Sequence, residues 1–305
     1  MNLFIIGAGF DISHNVPGRY ADFKSFMENI ASPYYLEQPC ASTINGMKTL
    51  RPVDAINVLK YIISKSGNDE EWKCFEETLG ILDFSEFLID TSSGEDMNYI
   101  CDYNKQTMDT FFKVSNTLKE LFENWIVQIP VNAAKNSLFS KLLSSNDIYL
   151  DFNYTNTLER TYAIQEEHVF HIHGEQGKPI IFGHGDSNYD FDYLEPLYPG
   201  AAMELADIKA RLRKPVDTVL KGSIMSKLLK QIRSNNIANV YSYGFGYSDI
   251  DMPYIEAISS FLSNDTVWLF NNFDKSKIPS FKEKVKKAGF KGTFDTFSTE
   301  HPKEA

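Results

Sequence analysis

The sequence predicts an α/β fold, a doubly wound and mostly parallel sheet carrying a large helical insertion. Three patterns predict it. Short β-rich runs alternate with helical periodicities at the start of the chain and again from about residue 146. The runs end in Gly, Asn or His. A block from about 35 to 145 holds helical spacings and no strand signal.

The first strand is Asn2 to Ile6, closed by Gly7. Pro17-Gly18 marks a turn, and Tyr20, Phe23, Met27 and Ile30 recur at helical spacing. Trp72, Phe75, Leu79 and Leu82 form one helical face behind the acidic turn Asp69-Glu70-Glu71. Phe111, Leu118, Leu121, Phe122 and Trp125 form another. Strands are expected at Asp147–Phe152, His168–Ile172, Pro179–Phe182, Asn239–Tyr243, Thr266–Phe270 and Phe290–Phe294. Helices are expected over 200–236, Met252–Leu262 and Lys275–Gly289. The implied organisation is a nucleotide-binding domain from residues 1–34 and 146–305, interrupted by a helical insertion over 35–145.

Composition narrows the function. The chain has 305 residues, 43% of them hydrophobic, with 23 Phe and 16 Tyr, enough for a large core. A net charge of −11 disfavours nucleic-acid and anionic-membrane partners. No apolar run approaches the ~20 residues that span a bilayer, and the short apolar start lacks a basic flank, so a cytoplasmic protein is expected. The three cysteines, Cys40, Cys74 and Cys101, are widely spaced and suggest neither a disulfide framework nor structural zinc.

In a parallel doubly wound sheet, ligands bind beyond the carboxyl ends of the strands, so residues directly after strands are the candidates. Gly7-Ala8-Gly9-Phe10-Asp11 is a glycine turn whose backbone suits a pyrophosphate. A third fingerprint glycine is missing, since Ile12 stands there, and no second strand follows to supply a ribose-binding acid, which counts against an ordinary dehydrogenase. After the strand ending at Phe152, Asn153 is the reactive candidate; Thr155 and Asn156 suit a helix cap ahead of Glu159. In His171-Ile172-His173-Gly174, alternation sets both imidazoles on one side of a strand. His173 sits at the ligand edge and His171 packs deeper. Gly183-His184-Gly185-Asp186 adds a third histidine, but no helical ligand pair accompanies it, and no metal is expected. Gly244, Gly246 and Ser248, followed by Asp249 and Asp251, form a second glycine loop between strand and helix. Asn271 closes another strand, either on an adenosine ribose or in a turn.

Ile6-Gly7-Ala8-Gly9-Phe10-Asp11 with Pro17, Tyr20 and Phe23 resembles the opening of the AbiH family of bacteriophage abortive-infection proteins. Trp72 with Glu76 and Leu79, Asn153-Tyr154-Thr155, His171-Ile172-His173-Gly174, Phe182-Gly183-His184-Gly185 and the segment from Gly244 to Tyr254 match in the same order. The resemblance covers most of residues 1–270. Two positions depart from it: Ala8 stands where that family usually has Asn, and Gly246 where it usually has Ser.

That family in turn is similar to sirtuin-like NAD-binding domains of Rossmann type. The likeness implies a sirtuin-like fold, NAD as substrate, and Asn153 with His173 as the catalytic pair. It implies nucleotide contacts from Gly7, Ala8, Gly9, Phe10 and Asp11. The four-cysteine zinc module of the deacylases has no counterpart here, which leaves hydrolysis of NAD to nicotinamide and ADP-ribose as the expected activity. Asp11 or Asp249 would offset positive charge developing on the ribose. The alternatives are a nucleotide-sensing module acting through a partner protein, or a nucleic-acid-directed toxin using the basic stretch 209–233. The insertion is expected to cover the crevice and to mediate contact with a second copy or a defence-system partner.

Overall fold

The computed structural model describes residues 1–31, 51–65, 75–185 and 194–299, which fall into two compact units. The first comprises Met1–Arg19, Ile126–Ile181 and Pro215–Ala305; the second comprises Tyr20–Trp125 and Phe182–Lys214. The helix Tyr20–Ala31 and the segment 182–214 thus group with the helical unit, outside the 35–145 limits read from sequence. Trp72, Cys40, Cys74, Asp186 and the acidic turn 69–71 lie outside the described residues.

The first unit is built on six strands: β1 (Asn2–Ile6), β2 (Ile148–Asp151), β3 (Val169–His171), β4 (Asn239–Tyr243), β5 (Val267–Asn271) and β6 (Thr293–Phe297). They form one sheet in the order β3-β2-β1-β4-β5-β6, and every pairing is parallel. The fold is therefore a Rossmann-like α/β sheet, as the alternation predicted. The order reverses between β1 and β4, which is the switch point where crevices form in this architecture.

β1 shows why the sheet lies central. Its alternation sends Leu3 and Ile5 into one core and Phe4 and Ile6 into another. Leu3 and Ile5 pack with Met225, Leu228 and Ile232 of the helix Ser223–Ser234 and with Tyr254, Ile255 and Ile258 of the helix Met252–Ser259. Phe4 lies between its two register partners, stacked on Tyr149 at 5.0 Å and on Tyr241 at 4.9 Å. Phe139 meets it edge-on at 5.6 Å. A strand buried on both faces needs a near-continuous apolar run, and Leu3-Phe4-Ile5-Ile6 supplies one.

One expected strand does not form. Residues 179–181 run as a loop: Pro179 has no N–H to give a ladder, and Ile181 N donates to the carbonyl of His173. Gly174 lies opposite at φ +87°, and a side chain there would collide with the Pro179 carbonyl. The final strand starts at Thr293, later than Phe290, because Phe290 turns into the core against Trp268.

The second unit is helical. Tyr20–Ala31 presents Phe23 to Phe75, Phe122 and Trp125, with Phe23–Phe122 edge-on at 5.1 Å. Its long helix, Met97–Gln128, extends the face predicted between Phe111 and Trp125. Lys214 is buried beside Glu76 at 3.0 Å, and the buried Lys209 Nζ donates to the carbonyls of Gly80 and Leu82. His184 Nε2 lies 3.0 Å from the Lys209 carbonyl. Among the described residues no helix is long and apolar enough to cross a membrane.

Candidate functional site

The loops at the carboxyl ends of β3, β2, β1 and β4 are tied together by polar side chains. The glycine turn after β1 leans on the loop after β4. Gly7 N donates to Tyr243 O at 3.1 Å, Gly9 N to Gly244 O at 3.0 Å, and Phe10 N to Gly7 O at 2.8 Å. A Cβ on Gly7 would stand 2.6 Å from Phe245 Cα, and one on Gly9 2.6 Å from Gly244 Cα. Gly244 itself adopts φ +67°, and a Cβ there would stand 2.4 Å from Phe10 N. The two glycines after β1 therefore serve close approach of backbone to backbone. A pyrophosphate held by the amides of Gly7, Gly9 and Phe10 requires these three bonds to open.

Asn153 braces the same turn. Its Nδ2 donates to Gly7 O at 3.2 Å, while its own N–H donates to Asp151 Oδ1 at 2.8 Å. Asp11, at the first turn after β1, is 2% exposed. Its Oδ2 accepts from Thr155 Oγ1, and its Oδ1 has no hydrogen-bond partner among the described residues. Burial raises the Asp11 carboxyl to about 6 against the opposing hydrogen bonds from Thr155 and Thr157. Thr155, read from sequence as a cap, in fact holds this carboxyl.

His173 follows β3. Its Nε2 lies 3.6 Å from Asp251 Oδ1, and its ring packs among Phe152, Tyr154 and Tyr254. Asp251 Oδ2 accepts from Ser248 Oγ at 2.8 Å, so the loop after β4 presents a carboxylate to the imidazole after β3. Asp249 instead pairs with Lys284 at 2.7 Å and is exposed. Gly246 is exposed with open space around it. Asn271 is buried in a turn: its Nδ2 donates to Thr299 Oγ1 at 3.0 Å, and its Oδ1 accepts from Phe273 N at 3.0 Å.

The two strand histidines part company. β3 ends at His171 and the chain turns at residues 172–173, so period-two alternation stops between them. His171 Nδ1 lies 3.1 Å from the Asn153 carbonyl and its Nε2 2.8 Å from Glu159 Oε1. Desolvation alone would lower this imidazole; the Glu159 hydrogen bond and the charges of Asp151, Glu159 and Glu175 prevail and raise it to about 9. Asp151, fully buried, is held well above the usual carboxylate range by desolvation, with Asp11 and Glu159 adding repulsion.

The candidates Asn153, Asp11 and the glycine turn are thus brought together directly, and His173 joins the loop after β4 through Asp251. Asn271 is engaged elsewhere. Sequence reading missed Asp251 as the partner of His173, and Glu159 and Glu175 as partners of His171. Only the i, i+4 spacing of His171 and Glu175 hinted at the last.

Neither characterised proteins nor solved structures return a match to this chain. A family model does, described as bacteriophage abortive infection AbiH, and it aligns with residues 3–272. That span takes in the helical unit, every strand but β6, and all the loops just described, so the chain belongs to the AbiH family of phage abortive-infection proteins.

Proposed function

We propose that this abortive-infection protein hydrolyses the nicotinamide–ribose bond of NAD at the carboxyl edge of its sheet. One observation carries the reading: polar groups from four successive strand ends interlock there, Asp11 after β1, Asn153 and Thr155 after β2, His173 after β3 and Asp251 after β4. The order β3-β2-β1-β4 makes these ends neighbours, and such edges are where parallel sheets take nucleotides.

Water supplies the nucleophile at the anomeric carbon, and nicotinamide leaves as a neutral pyridine with the bonding electron pair. His173 takes the proton from water, and Asp251, 3.6 Å away, stabilises the imidazolium that results. Asn153 fixes the glycine turn through Gly7 O and so positions the ribose side of the site. The likeness of the Asn153 and His173 pattern to NAD-hydrolysing domains supports the substrate assignment.

The test is nicotinamide release from NAD by the purified chain and by Asn153→Ala and His173→Ala. The expected result is a fall of at least ~100-fold in His173→Ala, the range that loss of an acid–base group produces, and of about 100-fold in Asn153→Ala, the scale of lost positioning. Tight NAD binding with no product in any form would instead mark a nucleotide sensor.

A further inference from the structure

A second cluster opens on the cleft beside β3, adjoining Asn153 only through its backbone carbonyl. Glu159 from the helix Thr157–Tyr162, His171 from the end of β3 and Glu175 just beyond it each offer one ligand atom, all within 4.8 Å of one another. They line an open cleft of about 930 Å3. We propose that Glu159, His171 and Glu175 form a binding site for a divalent transition-metal ion of the Zn2+ or Mn2+ kind, with water from the cleft completing its coordination.

The orientation of His171 is the first support. Its Nδ1 faces the backbone carbonyl of Asn153 at 3.1 Å, a group that only accepts, so Nδ1 carries a proton. Nε2 is then the atom turned toward the two carboxylates, 2.8 Å from Glu159 Oε1 and 3.9 Å from Glu175 Oε2. A ligating histidine typically gives its other ring N–H to a carbonyl or carboxylate in this way. The second support is Glu159 Oε2, which is buried and has no hydrogen-bond partner among the described residues. A buried carboxylate oxygen left without a donor is costly, and a cation beside it removes that cost.

The donor set fits the metal class. One imidazole and two carboxylates suit Zn2+ or Mn2+ with open positions for water, whereas an all-oxygen shell would favour Ca2+ or Mg2+. Ligands held ~2 Å from one ion lie within ~4 Å of each other, so side-chain rotation of about 1 Å closes the site. Glu175 Oε1 is taken by the exposed Lys178, which leaves Oε2 for the ion. Lys227 and Lys230 on the helix Ser223–Ser234 also border the cleft. The ligands come from helix, strand and loop, and the four-residue step from His171 to Glu175 lies across a strand end and not along a helix, so no ligand motif marks them.

This assignment goes beyond NAD hydrolysis and is read by metal uptake alone, so either can fail without the other. The metal-stripped full chain is titrated with Zn2+ and with Mn2+ by calorimetry. The expected result is one ion per chain for at least one of the two metals, with affinity reduced at least tenfold in Glu159→Gln and in Glu175→Gln, the scale on which losing one ligand is felt. Nitrogen-detected NMR of the wild type serves as a second readout that needs no variant: Zn2+ is expected to shift the His171 Nε2 resonance selectively. No uptake of either metal, uptake equal in wild type and variants, or a His171 resonance unmoved in a chain that has taken up Zn2+ would overturn the proposal. The cluster would then be an ionic triad of one imidazolium and two carboxylates.

Discussion

At the scale of residues, Asp11 carries a penalty that titration can expose. Thr155, Thr157, His171, Glu159 and Asp151 all act on it, yet burial dominates and raises its carboxyl from 3.8 to about 6. An acid with a raised native value binds its proton more tightly folded than unfolded. The stability it lends is present at pH 4 and is lost as pH rises through 6, about 3 kcal/mol at most. Asp11→Asn, which cannot ionise, is expected to flatten that part of the stability–pH profile, as read from urea midpoints between pH 4 and 7. Glycine positions make a sharper contrast. Gly9→Ala would press a methyl against Gly244 Cα and is expected to cost about 1–3 kcal/mol. Gly246→Ala meets open space and is expected to stay within about 0.5 kcal/mol, by the same denaturation measurement.

Among the elements, β1 carries the most. Phe4 stacks on both flanking strands through Tyr149 and Tyr241, so Phe4→Ala removes contacts that join three strands and leaves a cavity. Thermal unfolding is expected to show a loss of about 3–5 kcal/mol. Strands of this kind were legible in the sequence because burial on both faces demands an unbroken apolar run. Pro179–Phe182 reads equally apolar but forms no strand, since a ladder needs the N–H that Pro179 lacks and the chain instead folds back on Gly174. The helix Pro52–Lys65 went unread, although Ala55, Ile56, Leu59, Ile62 and Ile63 do repeat at helical steps. Among the candidates, the placement of Asn153 and His173 just beyond strand ends was legible, because each follows an apolar strand run. Their partners Gly7 and Asp251 were not, because those contacts span 146 and 78 positions and depend on the strand order.

For the whole molecule, the chain belongs to the abortive-infection family and carries a parallel sheet, and the proposed NAD hydrolysis would act in infected cells. In the helical unit, the buried Lys209 and Lys214 are engaged within that unit, Lys214 with the half-buried Glu76. The most direct test follows NAD in bacteria that express the chain and are challenged with a restricted phage. With wild-type protein, cellular NAD should collapse after infection and nicotinamide should accumulate, whereas cells carrying His173→Ala or Asn153→Ala at equal protein levels should keep their NAD and lose protection. Protection retained by both variants, or NAD that holds steady while the wild type still blocks the phage, would contradict the assignment.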